Sequence, residues 1–458
     1  MPAYAAAARS RTALRVYAVA ADKAVEPWLG RWARASPVGG VNGGADGSLR
    51  ENGRVARLLV LGAGPAQLGV LAAARRAGLT VIAADRDPSA PGFRDADRRA
   101  IVSIEDEPAI ERLARAEEVD GIVAPGTDHA VATAARIASR LGLPHPLTPE
   151  AAQLAVSRQR QRERLAAAGI LQPRSRVCRT LADATAAAEE LGFPVVIEAP
   201  DRAGARAVGL AHDRDALARV AAEALAELRG EYCLVEELVG GSVVTVNAFS
   251  LDGRFVPLTV TDREQAPSPA FGVSLAHIWP AELEPAQVGA AIETAARAAS
   301  ELGIENGPST TQVLLGEKGP LVAKVSARVG GGHDAELCRA ALGVDLNAIT
   351  VHAALGGEVH PQQLAVTAGV GGACVRFLVA PAGTLREVRG LDEAYAIEGV
   401  RGIRVYRKPG HVFGPLRRAS DRAGAILATG DTPEDALDAA DRAAAMIRLV
   451  TERVEAVA

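Results

Sequence analysis

The chain predicts an α/β unit with a parallel sheet, followed by two α+β regions. Three observations carry this expectation. Short apolar runs alternate with helical stretches of about ten residues or more from Val55 to about residue 150. Strand-like segments of alternating pattern then crowd between Val243 and Val325, which suits an antiparallel sheet. After Gly371 come further strands and one final helical pattern. The length agrees: at roughly 100–200 residues per domain, 458 residues make about three domains.

Composition narrows the class. Hydrophobic residues are 48% and charged residues 23%, a globular mix that excludes a disordered or fibrous chain. No run approaches the roughly 18–20 apolar residues of a bilayer span, so no membrane partner is expected. A net charge of −4 gives no electrostatic reason for nucleic-acid binding. Cys178, Cys233, Cys338 and Cys374 lie far apart with no CxxC pair, which fits a reducing, cytoplasmic setting. Of 51 basic residues only Lys23, Lys318, Lys324 and Lys408 are lysines, leaving 47 arginines, so each Lys stands out.

Residues 1–54 read as a poorly ordered N-terminal extension, with a functional arm as the alternative. The basic run Arg9–Arg15 is followed by neither an apolar stretch nor a small-residue cleavage site, against a secretory signal. Leu14–Ala21 has strand character, Ala24–Ala35 is amphipathic, and Val38–Gly53 has linker composition. Residues 55–150 form the α/β unit: strand Arg57–Leu61, turn Gly62–Gly64, helix Ala66–Ala77, strand Val81–Ala84, strand Asp120–Ala124 and helix Val131–Leu141. The Gly62 turn, with Asp85 about twenty residues on, has two readings. One is dinucleotide binding, with the carboxylate on ribose hydroxyls. The other is a tight strand–helix turn, favoured because Gln67 stands at the third glycine position. Residues 151–350 begin with a helix over Pro149–Gly169. Strands follow at Pro194–Ile197, Leu234–Val239, Val243–Phe249, Phe255–Thr261, Thr310–Leu315 and Leu321–Val325. Residues 351–458 carry strands near Ala373–Leu378, Gly402–Tyr406 and Gly424–Thr429, then a helix over Pro433–Val454.

Five stretches occur together in one order: Gly126–Asp128, Gly169–Arg174, Val235–Glu237, Arg328–Asp334 and Ala428–Pro433. On these the chain resembles the ATP-grasp superfamily, closest to the L-amino-acid ligases and biotin-carboxylase-like carboxylate–amine ligases. The resemblance runs from about Val55 to Arg453. It implies a Rossmann-like pre-ATP-grasp domain over 55–150 and a two-lobed ATP-grasp domain over 151–350, the smaller lobe at about 175–240. It also implies a C-terminal α+β region over 351–458 that packs on the core. Such enzymes phosphorylate a carboxylate with Mg–ATP and let an amine attack the acyl phosphate.

The resemblance also assigns roles, and several positions depart from them. Arg158 stands where a phosphate-binding Lys is usual. Glu198 stands at the second phosphate-binding Lys, replacing +1 with −1. The loop over the phosphates, Asp201–Val208, keeps Gly204, with Arg202 and Arg206 available to an anion. Glu236, Glu237 and Val239 match the adenine-binding hinge, but the ribose-binding Glu falls on Val243. The metal carboxylates fall on Gln312 and Lys324, and the companion Asn on Ser326, so no Mg²⁺ site is expected. Arg328, with Gly331 in the loop after it, matches the anchor of a substrate carboxylate or acyl phosphate. His277 is the further substrate candidate, beside His333. Glu198 and Lys324, opposite in sign, are expected to pair or join one network.

Three readings remain open. One is a degenerate ATP-grasp homologue that binds a small carboxylate or amino-acid ligand and serves as a binding or regulatory partner, for instance of an active relative, or runs chemistry without ATP. The alternative is an active ATP-dependent carboxylate–amine ligase with a non-standard metal site drawn from Asp201, Glu236, Glu237 or Asp334; ATP and Mg²⁺ belong only to this reading. The third is a nicotinamide-dependent enzyme using Gly62–Gly69. A homodimer is compatible with all three.

Overall fold

The computed structural model describes residues 50–51, 54–198, 208–227 and 232–452. The reading of residues 1–54 therefore falls almost wholly outside the described residues. So do Asp201, Arg202, Gly204 and Arg206 of the loop expected over the phosphates.

The first unit comprises β1 (Arg57–Leu61), α1 (Leu68–Arg76), β2 (Thr80–Asp85), β3 (Arg98–Ile101), α2 (Glu107–Ala116), β4 (Gly121–Val123) and α3 (Asp128–Leu141). Its four strands are parallel in the order β3-β2-β1-β4. Leu58 to Leu61 are all fully buried, because helices cover both faces of a parallel sheet. Strand β3, charged and largely exposed, carries no apolar run, and the sequence pattern does not disclose it. Gly62 takes a positive φ of 100°, which allows the tight turn after β1. Gln67 fills that turn: its Nε2 donates to the Pro125 carbonyl (2.6 Å) and Thr127 Oγ1 (3.2 Å). Asp85 accepts from the Ala63 and Asp87 amides at 2.8 and 2.9 Å. Both groups are thus engaged within the turn.

The helix expected over Pro149–Gly169 is two helices, α4 (Pro149–Val156) and α5 (Arg158–Ala167). Ser157 separates them. It adopts φ −75° and ψ 107° and caps α5 by accepting from the Arg160 amide. The break turns Arg158, Gln161, Arg162 and Leu165 into one buried stripe, the i, i+3, i+4, i+7 spacing of a single helix face.

The small lobe follows as β5 (Ser175–Cys178), α6 (Leu181–Leu191), β6 (Val195–Glu198), β7 (Val208–Ala211), α7 (Arg214–Glu227) and β8 (Cys233–Glu237). The sheet order is β5-β8-β6-β7, all antiparallel. Val195, Ile197, Cys233 and Val235 pack with Ala184, Ala188, Leu217 and Ala221 of its two helices.

The large sheet is built from β9 (Ser242–Leu251), β10 (Arg254–Gln265), β11 (Ser274–Trp279), β12 (Gly307–Gly316) and β13 (Gly319–Ser326), with α8 (Pro285–Glu301) on one face. Strand alternation divides its residues cleanly. Val244, Val246, Val260 and Val313 face Ala291 and Ala295 of α8. Thr245, Gln312 and Lys324 form one row across the other face, and Asn247, Thr310 and Ser326 the next. This second face is polar although Thr245, Asn247, Thr259 and Thr261 are buried. Asn247 Nδ2 donates to Thr259 Oγ1 (3.1 Å), and the Thr310 hydroxyl donates to Asn247 Oδ1 (3.2 Å).

Helices α9 (Asp334–Leu342) and α10 (Leu346–Ala354) follow. The remainder is β14 (Gly372–Leu378), β15 (Gly383–Arg389), α11 (Leu391–Tyr395), β16 (Val400–Val405), β17 (Val412–Phe413), β18 (Gly424–Gly430), α12 (Pro433–Met446) and β19 (Arg448–Glu452). Strands β14, β18 and β16 join onto β11, so one antiparallel sheet of eight strands, β13-β12-β9-β10-β11-β14-β18-β16, runs through both α+β regions. The final helix does not reach Val454. It stops at Met446, Ile447 is extended (ψ 121°), and β19 pairs with β15. Ile447 and Leu449 join the local core, so the apolar spacing reads as more helix. Among the described residues no helix is long and apolar enough to cross a membrane.

Phe249 is among the largest fully buried side chains and packs with Leu258, Trp279 and Leu337 of α9 beside the polar face. Phe249→Ala is expected to lower unfolding stability by about 3–5 kcal/mol. Urea unfolding followed by circular dichroism checks this.

Candidate functional site

The cleft lies where α5, the small lobe and the polar face of the large sheet meet the loops after β1 and β4. Its first cluster comes from the α5 stripe. Arg158 Nη2 donates to Glu198 Oε2 (2.9 Å) and to the Ala323 carbonyl (2.9 Å), while Nη1 donates to Gln161 Oε1 (3.1 Å). Arg162, one turn on, donates to Glu236 Oε1 (2.6 Å) and to the Val322 carbonyl (2.9 Å). Both arginines and Glu236 are buried, and Glu198 nearly so. Burial raises the Glu198 carboxyl, but Arg158 and Lys324 outweigh it and hold it below its ordinary value. So the two positions that the resemblance gives to phosphate-binding cations bind each other.

The second cluster joins β13 to the first unit. Lys324 and Ser326 share a side of β13, and Arg328 follows two residues beyond its end. All three converge on Asp128, at the start of α3. Lys324 Nζ is 2.6 Å from Oδ2 and Arg328 Nη2 is 2.7 Å from Oδ1. The Ser326 hydroxyl also donates to the carboxylate. Burial pushes the Asp128 carboxyl up, yet Arg328, Lys324 and the hydrogen bonds hold it far below the carboxylate range. The expected direct pair of Glu198 with Lys324 is therefore not formed. Each takes a nearer partner, Arg158 for Glu198 and Asp128 for Lys324, and the two meet only through the field that Lys324 exerts on Glu198.

The third cluster surrounds the loop after Arg328. His277 is buried on β11, with Nδ1 3.0 Å from Asp334 Oδ1. Arg263 Nη2 lies 3.1 Å from His277 Nε2 and Nε donates to Ser274 Oγ (2.9 Å). A guanidinium has no acceptor, so His277 Nε2 accepts and the ring proton, assigned from this network, sits on Nδ1 towards Asp334. Burial lowers the His277 pKa; Asp334 opposes and Arg263 adds to the fall. Asp334 Oδ2 also accepts from the Gly332 amide (3.1 Å). A Cβ at Gly330 would stand 2.0 Å from Asp334 Oδ2, and one at Gly332 2.3 Å from His277 Cε1. The glycines thus make room for Asp334 and His277. Gly331 lies against Ala66 and Gly126. His333, at φ 59°, places Nε2 2.6 Å from the Tyr406 hydroxyl, beyond this cluster.

The remaining candidates take plainer places. Glu237 is bound by Arg174 through its amide (2.9 Å) and Nε (2.6 Å). Val239 is half-buried near Gly316, and Val243 pairs with Leu314 across β9 and β12. Gln312 stands beside Lys324 in the register of β12 and β13. Gln312, Lys324 and Ser326 offer no carboxylate and do not fit Mg²⁺, which needs anionic oxygen to displace bound water. Among the described residues no three His, Cys, Asp or Glu side chains are placed to hold a metal ion. Asp128 and Arg162 carry much of this geometry. Arg162 was legible as the residue four after Arg158; nothing local marks Asp128 as the partner of β13.

Comparison with known proteins follows this geometry. The description "Carbamoyl-phosphate synthase L chain, ATP binding domain" matches residues 157–361, and "L-amino acid ligase C-terminal domain 2" matches residues 376–452. The chain carries the ATP-grasp fold. Its fold is similar to the L-amino acid ligase from Bacillus licheniformis, with a TM-score of 0.74 at 21% identity over 87% of this chain and 100% of that one. It is 29% identical to the formate-dependent phosphoribosylglycinamide formyltransferase of Burkholderia pseudomallei (strain 668), over 87% of this chain and 96% of the relative. It is also 29% identical to uncharacterized protein y4rH of Sinorhizobium fredii, over 71% of this chain and 67% of that protein. The eight-stranded sheet of this fold runs through both matched regions.

Two outcomes test the geometry. Glu198→Gln leaves Arg158 buried without its counter-charge and is expected to lose about 3–5 kcal/mol of stability. Glu237→Gln, in a half-exposed pair, should lose about 0–1 kcal/mol by the same urea titration. The second outcome is a pH dependence. With the His277 pKa below its unfolded value of 6.5, the unfolded chain binds the extra proton first. The stabilising contribution is present above pH about 6.5 and is lost as pH falls below it. His277→Gln should flatten that part of the stability–pH curve relative to the parent, whereas an unchanged slope would discount the buried neutral ring.

Proposed function

We propose that this protein is an ATP-grasp homologue in which the Mg–ATP phosphate and metal positions have become internal ion pairs. In this reading it acts by binding a small carboxylate or amino-acid ligand, as a binding or regulatory partner or in chemistry that needs no ATP. The observation that carries the reading is the Arg158–Glu198 bridge, 2.9 Å long and buried. Replacing a cation by Glu198 reverses the interaction with a phosphate. At an effective dielectric near 20, a unit pair about 4 Å apart is worth roughly 4 kcal/mol, so the reversal removes several kcal/mol of ATP affinity. Lys324 adds an ammonium where a metal would need an acid. The retained Arg328 supports the ligand side, since a guanidinium fork suits a carboxylate.

An active carboxylate–amine ligase is the alternative, and the match to an ATP-binding family over 157–361 favours it. It requires metal carboxylates from elsewhere. Glu236, Glu237 and Asp334 are already engaged with Arg162, Arg174 and His277.

Calorimetric titration with Mg–ATP, together with ADP release in amino-acid mixtures, separates the two. The expected result is a Kd weaker than about 1 mM and no ADP. Micromolar binding or turnover would sink the proposal. The combined variant Glu198→Lys, Gln312→Glu, Lys324→Glu and Ser326→Asn should gain Mg–ATP binding, with a thermal melt confirming that it folds.

A further inference from the structure

The four cysteines lie far apart in the chain, yet the small lobe brings two of them together. Cys178 ends β5 and Cys233 begins β8, and the two are direct partners in the antiparallel register. Opposite residues in such a ladder share one face of the sheet. Here both side chains enter the core under α6 and α7, beside Ala184, Ala188, Leu217 and Ala221. Cross-strand partners have Cα atoms roughly 4.5–5.5 Å apart, within the roughly 4.4–6.8 Å that a disulfide spans. Their Cβ atoms stand about 4.5–5.5 Å apart against about 3.5–4.5 Å in a disulfide, so about 1 Å of approach closes the bond. Both residues are free thiols in this structure. Cys178 Sγ donates weakly to the Arg176 carbonyl (3.7 Å), a bond it can give up. The other two cysteines, Cys338 and Cys374, belong to two different cores.

Position gives the pair its effect. β5 is the first strand of the small lobe and β8 the last, and among the described residues β8 is the one strand that pairs with β5. A link between Cys178 and Cys233 closes a loop that contains α6, β6, β7 and α7, the rest of the lobe. From Cys233, β8 runs on to Glu236 and Glu237, which bind Arg162 and Arg174. The edge strand is then fixed to the strand that ties the lobe to α5. Burial raises the pKa of both thiols, to about 12 at Cys178 and about 11 at Cys233. The thiolate is the nucleophile, so reaction waits on local opening. Both residues sit at strand ends, where opening is least costly.

We propose that Cys178 and Cys233 are a redox-modification site, a reversible disulfide that clasps the first strand of the small lobe to the last. The oxidant is hydrogen peroxide. One sulfur attacks a peroxide oxygen, the O–O bond breaks, and a sulfenic acid and one water form. The second thiol attacks that sulfur, the S–S bond forms, and the hydroxyl leaves with the thiol proton as a second water. The two thiols lose two electrons and two protons, and the peroxide is reduced to water. A dithiol reductant reverses the link by exchange.

The test uses the full chain, reduced and then exposed to hydrogen peroxide. Thiols are counted by maleimide labelling after denaturation, and the link is located by peptide mass spectrometry without reductant. The expected result is a fall from the 4 cysteine thiols of the chain to half that number. A Cys178–Cys233 linked peptide accompanies the fall, and dithiothreitol reverses it. Amide hydrogen exchange of β5 should slow at least about tenfold in the oxidised chain, since a cross-link that closes a long loop opposes opening. Cys178→Ala should abolish both the link and the slowing, and Cys233→Ala serves if that variant does not fold. The double variant Cys338→Ala, Cys374→Ala should keep both. Persistence of all thiols under peroxide, loss of thiols without the linked peptide, a link through Cys338 or Cys374 or between copies, or unchanged β5 exchange in the linked chain overturns the proposal.

Discussion

Arg158 is buried, and a guanidinium does not give up its proton at ordinary pH. Something anionic must face it, and most of the cleft follows from which group does. Here that group is Glu198, from the small lobe, with the Ala323 carbonyl of β13 and the Gln161 side chain completing the shell. The bridge has two effects. It neutralises the Arg158 charge, and it ties α5, β6 and β13 together. Arg162 and Glu236 repeat the tie one helical turn away. The small lobe is therefore held to the large sheet by the protein's own charges.

The second inversion answers the first. Where acidic groups would serve a metal, β13 presents Lys324 and, two residues on, Ser326, and these need an acid. Asp128 supplies it from the first unit, together with a contact to Arg328. A buried ion pair is weak evidence for stability, since desolvation takes back most of the attraction. Its firmer consequence is geometric. Lys324, Ser326 and Arg328 all depend on the one carboxylate of Asp128, and moving α3 relative to the sheet would strand three polar groups at once.

Much of this was legible in the sequence, and the illegible part has a physical reason. The parallel unit announced itself because β1, β2 and β4 are apolar runs and the turn after β1 carries glycine, whereas the charged β3 did not. The C-terminal strand β19 did not, because Ile447 and Leu449 serve one core whether the segment is helical or extended. The break at Ser157 was hidden by the strongly helix-forming residues on either side. At the site, the sign reversals at Glu198 and Lys324 could be read from their positions in the motifs. Their partners could not. An ion pair is chosen by distance between lobes, and Asp128 lies in a different unit from Lys324, so the direct pairing of the two reversed residues was a reasonable expectation that the packing does not realise.

The polar face of the large sheet argues that the cleft was not simply filled. A pocket that has lost its ligand can be closed with apolar side chains, and replacing buried ions by well-packed hydrophobic residues is often stabilising by about 1–4 kcal/mol. On the opposite face of the same strands such packing is present, with Val244, Val246, Val260 and Val313 against α8. On the cleft face the alternate residues are Thr245, Asn247, Thr310 and Gln312, with Lys324 and Ser326 beside them. Asn247 bridges Thr259 and Thr310, so part of this face is satisfied by its own hydrogen bonds. The ion pairs of Arg158 and Lys324 occupy one end of the cleft, and at the other Asp334 and His277 hold the Gly332 amide and Arg263 in place. An apolar plug would have removed polarity from both ends alike; ion pairs keep the cleft face charged and hydrogen-bonded.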